Sequence, residues 1–412
     1  MIYNLLKKPL WMQVIAAGFF GIVIGIILDE QAEYLKPLGT IFINLIKMVI
    51  VPLIIFSLIS GINAVGSNSR ASSIAVHSIV AFFISAFISV VIGIVTAVIL
   101  KPGLNTTIPR ITTEVAHDPH TSHNILSVIE SFVSENAIQS MCEGNIIQVI
   151  IFTVLIGLAM SSMREKCANV IKLSHEMSAV IFKLIEGIVK LAPIGVFGYL
   201  AWSVGTQGMD VLLSLVKLIG AIIVGCLIQY ILYGVYLKVF AGLNPGPFYK
   251  KMFEPQVLAF STSSSKATLT TIMRVMHDKL GVSKNSINFV LPIGTSINMN
   301  GGAIYLTVAS IFFAQSLGKE LQFIDYFVLG VTCTIGSIGA AGIPSGILLF
   351  LGMALKAIGL PTEYVALIAG IDRILDMFTT MINVLGDAVI TTIIDKRQNC
   401  LDTDKYYSIN KE

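Results

Sequence analysis

"INFVLPIGTSINMNGGAIYLTVASIFFAQ", residues 287–315, reads as one long apolar helix with its centre spoiled. Asn298 to Gly302, "NMNGG", place two amides, a thioether and two glycines where a buried helix wants aliphatic side chains. Glycine is a poor helix former, and asparagine competes with the backbone for hydrogen bonds. A break of this kind inside a membrane releases backbone groups that only protein, a ligand or water in a cavity satisfies. The stretch therefore points to a site rather than to a simple span.

The surrounding chain supports a membrane setting. Of 412 residues, 55% are hydrophobic and 12% charged, whereas soluble domains carry about 25% charged residues. Runs such as "LWMQVIAAGFFGIVIGIIL" (10–28) and "NIIQVIIFTVLIGLAMSSM" (145–163) approach the ~20 residues that cross a bilayer. Spans are expected at 10–28, 39–65, 74–100, 145–163, 176–205 and 211–240, with a different region at 247–396, enough for about eight crossings. A β-barrel is excluded, because its strands are short and alternate in polarity. With the N-terminus inside, Lys7, Lys8, Arg70, Arg164, Lys166, Lys250, Lys251, Arg274 and Lys284 fall on the cytoplasmic side. The smaller set Lys36, Lys101, Arg110, Lys319 and Lys356 falls outside, as the positive-inside rule requires. Lys7 and Lys8 precede a full-length span, which suits an uncleaved first helix. The net charge of +3 carries no nucleic-acid signature.

Cys142, Cys167, Cys226, Cys333 and Cys400 are scattered without ligand spacing and read as buried or incidental thiols. "EVAHDPHTSH" (114–123) holds three histidines in the longest external loop, where a fixed metal scaffold is not expected. "NTT" (105–107) is a formal glycosylation sequon.

The second half repeats itself. "AFSTSSSKATL" (259–269) is a small-residue tip between two apolar arms, followed by the broken span 286–316. "SIGAAGIPSGI" (337–347) is a second such tip, followed by the span 364–394. Paired interruptions at corresponding places are the sequence pointer to a transporter's midplane site.

That last span, "GIDRILDMFTTMINVLGDAVITTIIDK" (370–396), carries Asp372, Asp376, Thr379, Asn383 and Asp387 at spacings of four, three, four and four. They share roughly 80° of arc over about 22 Å of helix. Each membrane carboxylate costs about 3 kcal/mol on insertion scales, more than polar packing between helices calls for. The stripe is expected to face cations, a cationic ligand or water. Asn298 and Asn300 offer side-chain oxygens, Gly301 and Gly302 free carbonyls, and an all-oxygen set suits a hard cation. Enzymatic readings are weaker. Intramembrane aspartyl proteases draw their two acids from different helices, whereas Asp372 and Asp387 share one. "SSSK" (263–266) holds a serine and a lysine but no argued oxyanion hole. A passive channel needs a polar pore, which the first six spans do not supply.

These motifs resemble those of the dicarboxylate/amino acid:cation symporter family, which includes glutamate transporters and neutral amino-acid exchangers. The resemblance spans nearly the whole chain and rests on "TSSSKATL", "NMNGGAIYLTVASIFFAQ", "GAAGIPSG" and "DRILDMFTTMINVLGD". It implies an all-α integral membrane fold of eight transmembrane helices and two re-entrant hairpins, arranged as inverted repeats in an elevator-type homotrimer in the plasma membrane, with both termini cytoplasmic. Residues 1–240 would be mainly scaffold and trimerisation region, parts of helices 3 and 6 joining the transport core. Residues 247–396 would be that core, and 397–412 a cytoplasmic tail.

Carried over by position, Asp376 would take a substrate ammonium, assisted by the tip carbonyls of Thr262 and Ile343. Asn383 and the Ser264 amide would hold the α-carboxylate, with Ser263, Ser265, Gly302, Thr379 and Thr380 completing the substrate site. Asp387, Asn383, Asn298 and the Gly294 carbonyl match one sodium site. Ser296, Met299, Ser337, Ile338 and Ala340 match a second. At the family's third site the usual aspartate is Asn300, with Phe82, Ser85 and Ala86 beside it in place of a fuller hydroxyl set. Members resembling this chain that carry acidic amino acids place arginine where Thr379 stands, and often threonine where Gly302 stands. The resemblance thus implies a sodium-coupled importer of a small neutral amino acid such as serine, threonine or alanine. The alternative is an acidic amino-acid symporter coupled to sodium or protons, with Lys266 as its cationic partner.

Overall fold

The computed structural model describes residues 10–63, 69–106, 108, 130, 133–143, 146–339 and 346–408, and every regular element among them is helical. From the N-terminus, α1 (Leu10–Leu28) passes through a 3-10 segment (Asp29–Leu35) into α2 (Lys36–Met48) and α3 (Ile50–Asn63). Then come α4 (Ser69–Leu100), α5 (Ala137–Glu143), α6 (Ile146–Ser162), α7 (Ala168–Val189), α8 (Ala192–Gln207) and α9 (Asp210–Ala241). The short α10 (Pro245–Lys251) leads to α11 (Phe253–Thr262), α12 (Ser265–Asp278), α13 (Lys284–Ile297) and α14 (Asn300–Ser316). Last are α15 (Phe323–Gly339), α16 (Gly346–Ala357), α17 (Val365–Ala369), α18 (Asp372–Arg397) and α19 (Thr403–Tyr407).

Two expected spans are divided, and proline divides both. The expected 39–65 becomes α2 and α3, and the expected 176–205 becomes α7 and α8. Proline lacks an N–H and its ring crowds the carbonyl four residues back. Four residues before Pro52 is Met48, where α2 ends; four before Pro193 is Val189, where α7 ends.

The helices pack in two groups. α8 lies along α1, α2 and the 3-10 segment, while α3 packs on α6 and α7. Small residues permit the α1–α8 approach: a Cβ at Gly25 would lie 2.6 Å from the Ala201 carbonyl oxygen. In the second group α18 is surrounded by α9, α11, α13 and α14, and α4 runs beside α13 and α14. α11 and α12 pack as a helical hairpin turning at Ser263 (φ 50°) and Ser264, and α15 packs on α16. Most of the second tip, residues 340–345, and the histidine loop 114–123 lie outside the described residues.

Five segments among the described residues are long and apolar enough to cross a membrane: Met12–Phe42, His77–Leu100, Asp210–Ala241, Lys284–Ser316 and Asp372–Arg397. Their surroundings differ sharply. Within an apolar 18-residue stretch of each, 94% of the residues are buried in Lys284–Ser316 and 83% in Asp372–Arg397, against 22% in Met12–Phe42 and 44% in the other two. The outer helices offer Ile27, Ile99 and Ile231 outward, as lipid contact demands, and the broken helix and the acidic helix form the interior.

The C-terminal segment folds back onto the base of this interior. Lys251 Nζ donates to the carbonyls of Lys279, Lys405 and Tyr406 at 2.9, 2.7 and 2.9 Å. Asp402 N–H reaches the Gly281 carbonyl at 3.0 Å, and the buried Tyr406 donates its hydroxyl to Asn244 O at 2.9 Å. Burial and the nearby Lys405 charge hold the Lys251 ammonium below the usual lysine range. A charged donor's hydrogen bonds are worth roughly 1.5–3 kcal/mol. Lys251→Met should therefore release α19, making residues after Arg397 open to limited proteolysis and lowering the thermal midpoint; unchanged cleavage and midpoint would refute the clasp.

Candidate functional site

The break between α13 and α14 occupies two residues. Asn298 (φ −88°, ψ 86°) and Met299 (φ −112°, ψ 53°) both leave helical geometry. α18 repairs the damage. Asn383 Oδ1 accepts from Gly301 N–H at 2.8 Å, at the start of α14 where helical N–H groups lack partners. Asn298 Nδ2 donates to Asp387 Oδ1 at 2.9 Å and to the Asn383 carbonyl at 3.3 Å. Gly301 is required by contact: a Cβ there would run into the backbone of Thr379. At Gly294 a Cβ would lie 2.6 Å from Asp387 Oδ1, so this glycine lets the carboxylate reach the α13 backbone.

The same cluster leaves buried oxygens with no donor. Asp387 Oδ2, Asn298 Oδ1 and Asn300 Oδ1 are enclosed and accept no hydrogen bond. An unpaired buried carboxylate oxygen is expensive. Hard oxygen donors around a buried negative charge are what a sodium-sized cation uses, so the residues fit a coupling ion. Asn300 itself is held by Nδ2 donation to Ser85 Oγ and Tyr233 Oη, each at 2.7 Å, and Tyr233 donates on to the Ile382 carbonyl at 3.2 Å. Phe82 and Ala86 are buried alongside.

The matched second sodium set is only partly brought together. Met299 Sδ accepts from Asn383 Nδ2 at 3.3 Å, which places it at the break. Ser337 Oγ turns onto its own helix, donating to Thr334 O at 2.9 Å; Ser296 and Ile338 are half-buried. Ala340 lies outside the described residues, as does the substrate candidate Ile343.

Around Asp376 the picture differs from expectation. Thr380 Oγ1 donates to Asp376 Oδ1 at 3.4 Å, and the buried Thr379 returns its hydroxyl to the Asp376 carbonyl at 3.3 Å. Arg373, one turn earlier on α18, brings Nη1 to 3.8 Å from Asp376 Oδ2. Its Nη2 donates at 3.1 Å to the Thr262 carbonyl, the tip group assigned above to the ammonium. Ser264 caps α12 by accepting from Ala267 N–H at 3.2 Å, and the neighbouring Ser263 and Ser265 are buried. Gly302 faces α16, where a Cβ would sit 3.0 Å from Ile347 Cδ1. Lys266 rests its ammonium over the Phe182 ring of α7, 4.0 Å from the centroid. Asp372 accepts from the Tyr305 hydroxyl at 2.9 Å.

Arg373, Tyr233 and Tyr305 contact the predicted residues Asp376, Asn300 and Asp372 and were not anticipated. The signal for Arg373 was present: an arginine next to Asp372 in a membrane segment is rare enough to mark function. The tyrosines gave no comparable signal, since a lone tyrosine in an apolar helix is usually packing.

Comparison with known proteins follows this geometry. A profile described as the sodium:dicarboxylate symporter family matches residues 10–397. The chain is 32% identical to the proton/sodium-glutamate symport protein of Bacillus subtilis (strain 168), over 97% of this chain and 95% of that one. It is 31% identical to the C4-dicarboxylate transport protein of Laribacter hongkongensis (strain HLHK9), over 97% and 92%. It is 30% identical to a proton/glutamate-aspartate symporter of Bacillus subtilis (strain 168), over 99% of both. The family consists of transport proteins, so the protease and Ser–Lys readings end here. The chain with the broken helix and the acidic stripe is an integral membrane transporter and belongs to the sodium:dicarboxylate symporter family.

Proposed function

We propose that this symporter couples sodium entry to amino-acid uptake, with Asp387 as the principal ion ligand and Asp376 as the partner of the substrate ammonium. The observation that carries the reading is the Asp387–Asn298 pair across the helix break, whose outer oxygens accept no hydrogen bond. Sodium there neutralises Asp387, with the Gly294 carbonyl and Asn383 adding oxygens. A second ion uses Met299 with Ser296, Ser337, Ile338 and Ala340.

Coupling follows from the position of Asn383. Its Nδ2 rests on Met299 Sδ and its Oδ1 on Gly301 N–H. An ion that draws Met299 away releases Nδ2 to donate to the substrate's α-carboxylate, together with the Ser264 amide. Ion and substrate thus order the same side chain and bind better together than apart. The α11–α12 and α15–α16 pairs are read as re-entrant hairpins which, with α13, α14 and α18, move as an elevator within residues 247–396. Helices of residues 1–240 serve mainly as scaffold in a homotrimer, with both termini cytoplasmic.

For the substrate side chain, Thr379 and Gly302 support serine, threonine or alanine. The relatives' names, glutamate, aspartate and C4-dicarboxylates, support an acidic side chain. The choice turns on Arg373, whose guanidinium stands beside Asp376. Proton coupling is the other reading that those names support. Uptake into proteoliposomes with sodium and proton gradients imposed separately decides it: dependence on the proton gradient alone refutes the sodium assignment.

A carboxylate–cation contact at low dielectric is worth several kcal/mol. Asp387→Asn should therefore raise the sodium concentration for half-maximal uptake by roughly two orders of magnitude; an unaltered sodium dependence would show that the ion sits elsewhere. Asp376→Asn strands a buried ammonium, at about 3–5 kcal/mol. It should abolish amino-acid binding while sodium still stabilises the purified protein against heat, and affinity retained within tenfold, a loss of under about 1.4 kcal/mol, would sink that role.

A further inference from the structure

We infer that the crevice between the end of α4 and α9 binds an anionic phospholipid, its phosphate on Lys101 and Lys217 and an acyl chain along α9. The crevice holds about 490 Å³ and is lined by Leu100, Lys101, Leu104 and Asn105 on one side and by Lys217 and Gly220 on the other. Small-molecule sites commonly hold about 300–1,000 Å³. No carboxylate lines it, and among the described residues neither lysine forms an ion pair. Lys217 Nζ donates to the Asn105 carbonyl at 3.4 Å, a long bond that engages one of its three N–H groups.

The depth of Lys217 fits a headgroup. α9 has 32 residues, so at about 48 Å it overhangs a hydrocarbon core of about 30 Å by about 9 Å at each end. Lys217 lies seven residues after Asp210, the first residue of α9, which is about 10 Å along the axis. That is the boundary between acyl chains and phosphates. A lysine there lifts its ammonium towards the interface, as the reach to Asn105 shows.

The same face of α9 continues inward as an apolar track. Lys217, Gly220, Val224, Leu227 and Ile231 recur at steps of three, four, three and four, which is one helical face. Val224, Leu227 and Ile231 are exposed, and the track runs about 21 Å from Lys217 to Ile231. Gly220 widens its upper end. A Cβ there would meet no heavy atom within 4 Å, and its φ is not positive, so neither close packing nor a turn calls for glycine in mid-helix.

The opposite wall is fixed in place. Gly103 N–H donates to Gln315 Oε1 at 3.0 Å, and Gln315 Nε2 donates to the Ala97 carbonyl at 2.9 Å. The Thr106 and Ser316 hydroxyls are 2.7 Å apart, so the turn after α4 is fastened to the end of the buried α14. Lys101 (φ 48°) and Asn105 (φ 53°) hold left-handed backbone within that turn. Lys101 is therefore presented by a braced turn. A free phosphate would use the two lysines but not the apolar track; a phospholipid uses both.

The test uses the purified full-length chain in detergent, with phosphatidylglycerol, phosphatidylcholine and glycerol 3-phosphate as probes. Native mass spectrometry should show phosphatidylglycerol held at least about tenfold more tightly than phosphatidylcholine. A lysine beside an anionic headgroup is worth about fivefold. Lys101→Gln combined with Lys217→Gln should therefore weaken phosphatidylglycerol roughly thirtyfold and leave phosphatidylcholine unchanged. Lys101→Arg combined with Lys217→Arg, which keeps both charges, should stay within about threefold of wild type. Gly220→Leu, which fills the crevice with both lysines intact, should also weaken phosphatidylglycerol. Equal retention of the two lipids by wild type, or wild-type retention of phosphatidylglycerol by the double glutamine variant, overturns the proposal. Glycerol 3-phosphate binding as tightly as phosphatidylglycerol overturns the lipid as its source, since the acyl chain then adds nothing. Phosphatidylglycerol with a photoreactive acyl chain needs no variant: on wild type its crosslinks should fall between Gly220 and Ile231, and crosslinks confined to other helices refute the site.

Discussion

Two consecutive non-helical residues, both buried, set the terms for everything around them. Backbone N–H and C=O groups left unpaired in an apolar interior cost several kcal/mol each. Asn383 and Asp387 on α18 meet that demand, by accepting from Gly301 N–H and by holding the Asn298 side chain. α18 must be polar along one face to do so. A polar face cannot meet lipid, so α18 is enclosed by α9, α11, α13 and α14. The break thus dictates the polarity of one helix, and that polarity dictates which helices surround it.

Repair is deliberately incomplete in chemical terms. Satisfying the break uses one oxygen of Asp387 and the amide groups of Asn298 and Asn383, and it leaves the outer oxygens of Asp387, Asn298 and Asn300 without donors. Such oxygens suit a hard cation. In the proposed function the cluster that holds the two half-helices together would also bind the ion, and Asn383 would link it to the substrate.

Two cations near the first tip show how surroundings decide a side chain's work. Lys266 sits in the tip sequence itself, yet its long stem carries the ammonium onto the face of Phe182, a favourable place for a lone cation. Arg373 sits on the opposing helix, yet its fork returns to the tip at the Thr262 carbonyl and lies beside Asp376. Position in the sequence puts the lysine at the tip; contact puts the arginine there.

Composition and hydropathy were enough for a helical membrane protein, because a charge fraction of 12% in 412 residues cannot cover a soluble surface. The acidic stripe was legible too, because the 3.6-residue period converts spacing directly into a shared face. The break at Asn298–Gly302 was legible from two glycines and two amides within five residues. Pro52 and Pro193 were equally visible, but dividing the spans at them required counting back four residues to the crowded carbonyl. What the sequence did not hold was partnership. That Asn383 serves Gly301, that Tyr233 serves Asn300, that Thr379 turns away and that Arg373 reaches Thr262 depend on the rotation of each helix and the rotamer of each side chain. Local pattern determines which face of a helix is polar; only packing determines which groups on neighbouring helices meet it, because hydrogen bonds and ion pairs fade within an ångström or two of their ideal distance.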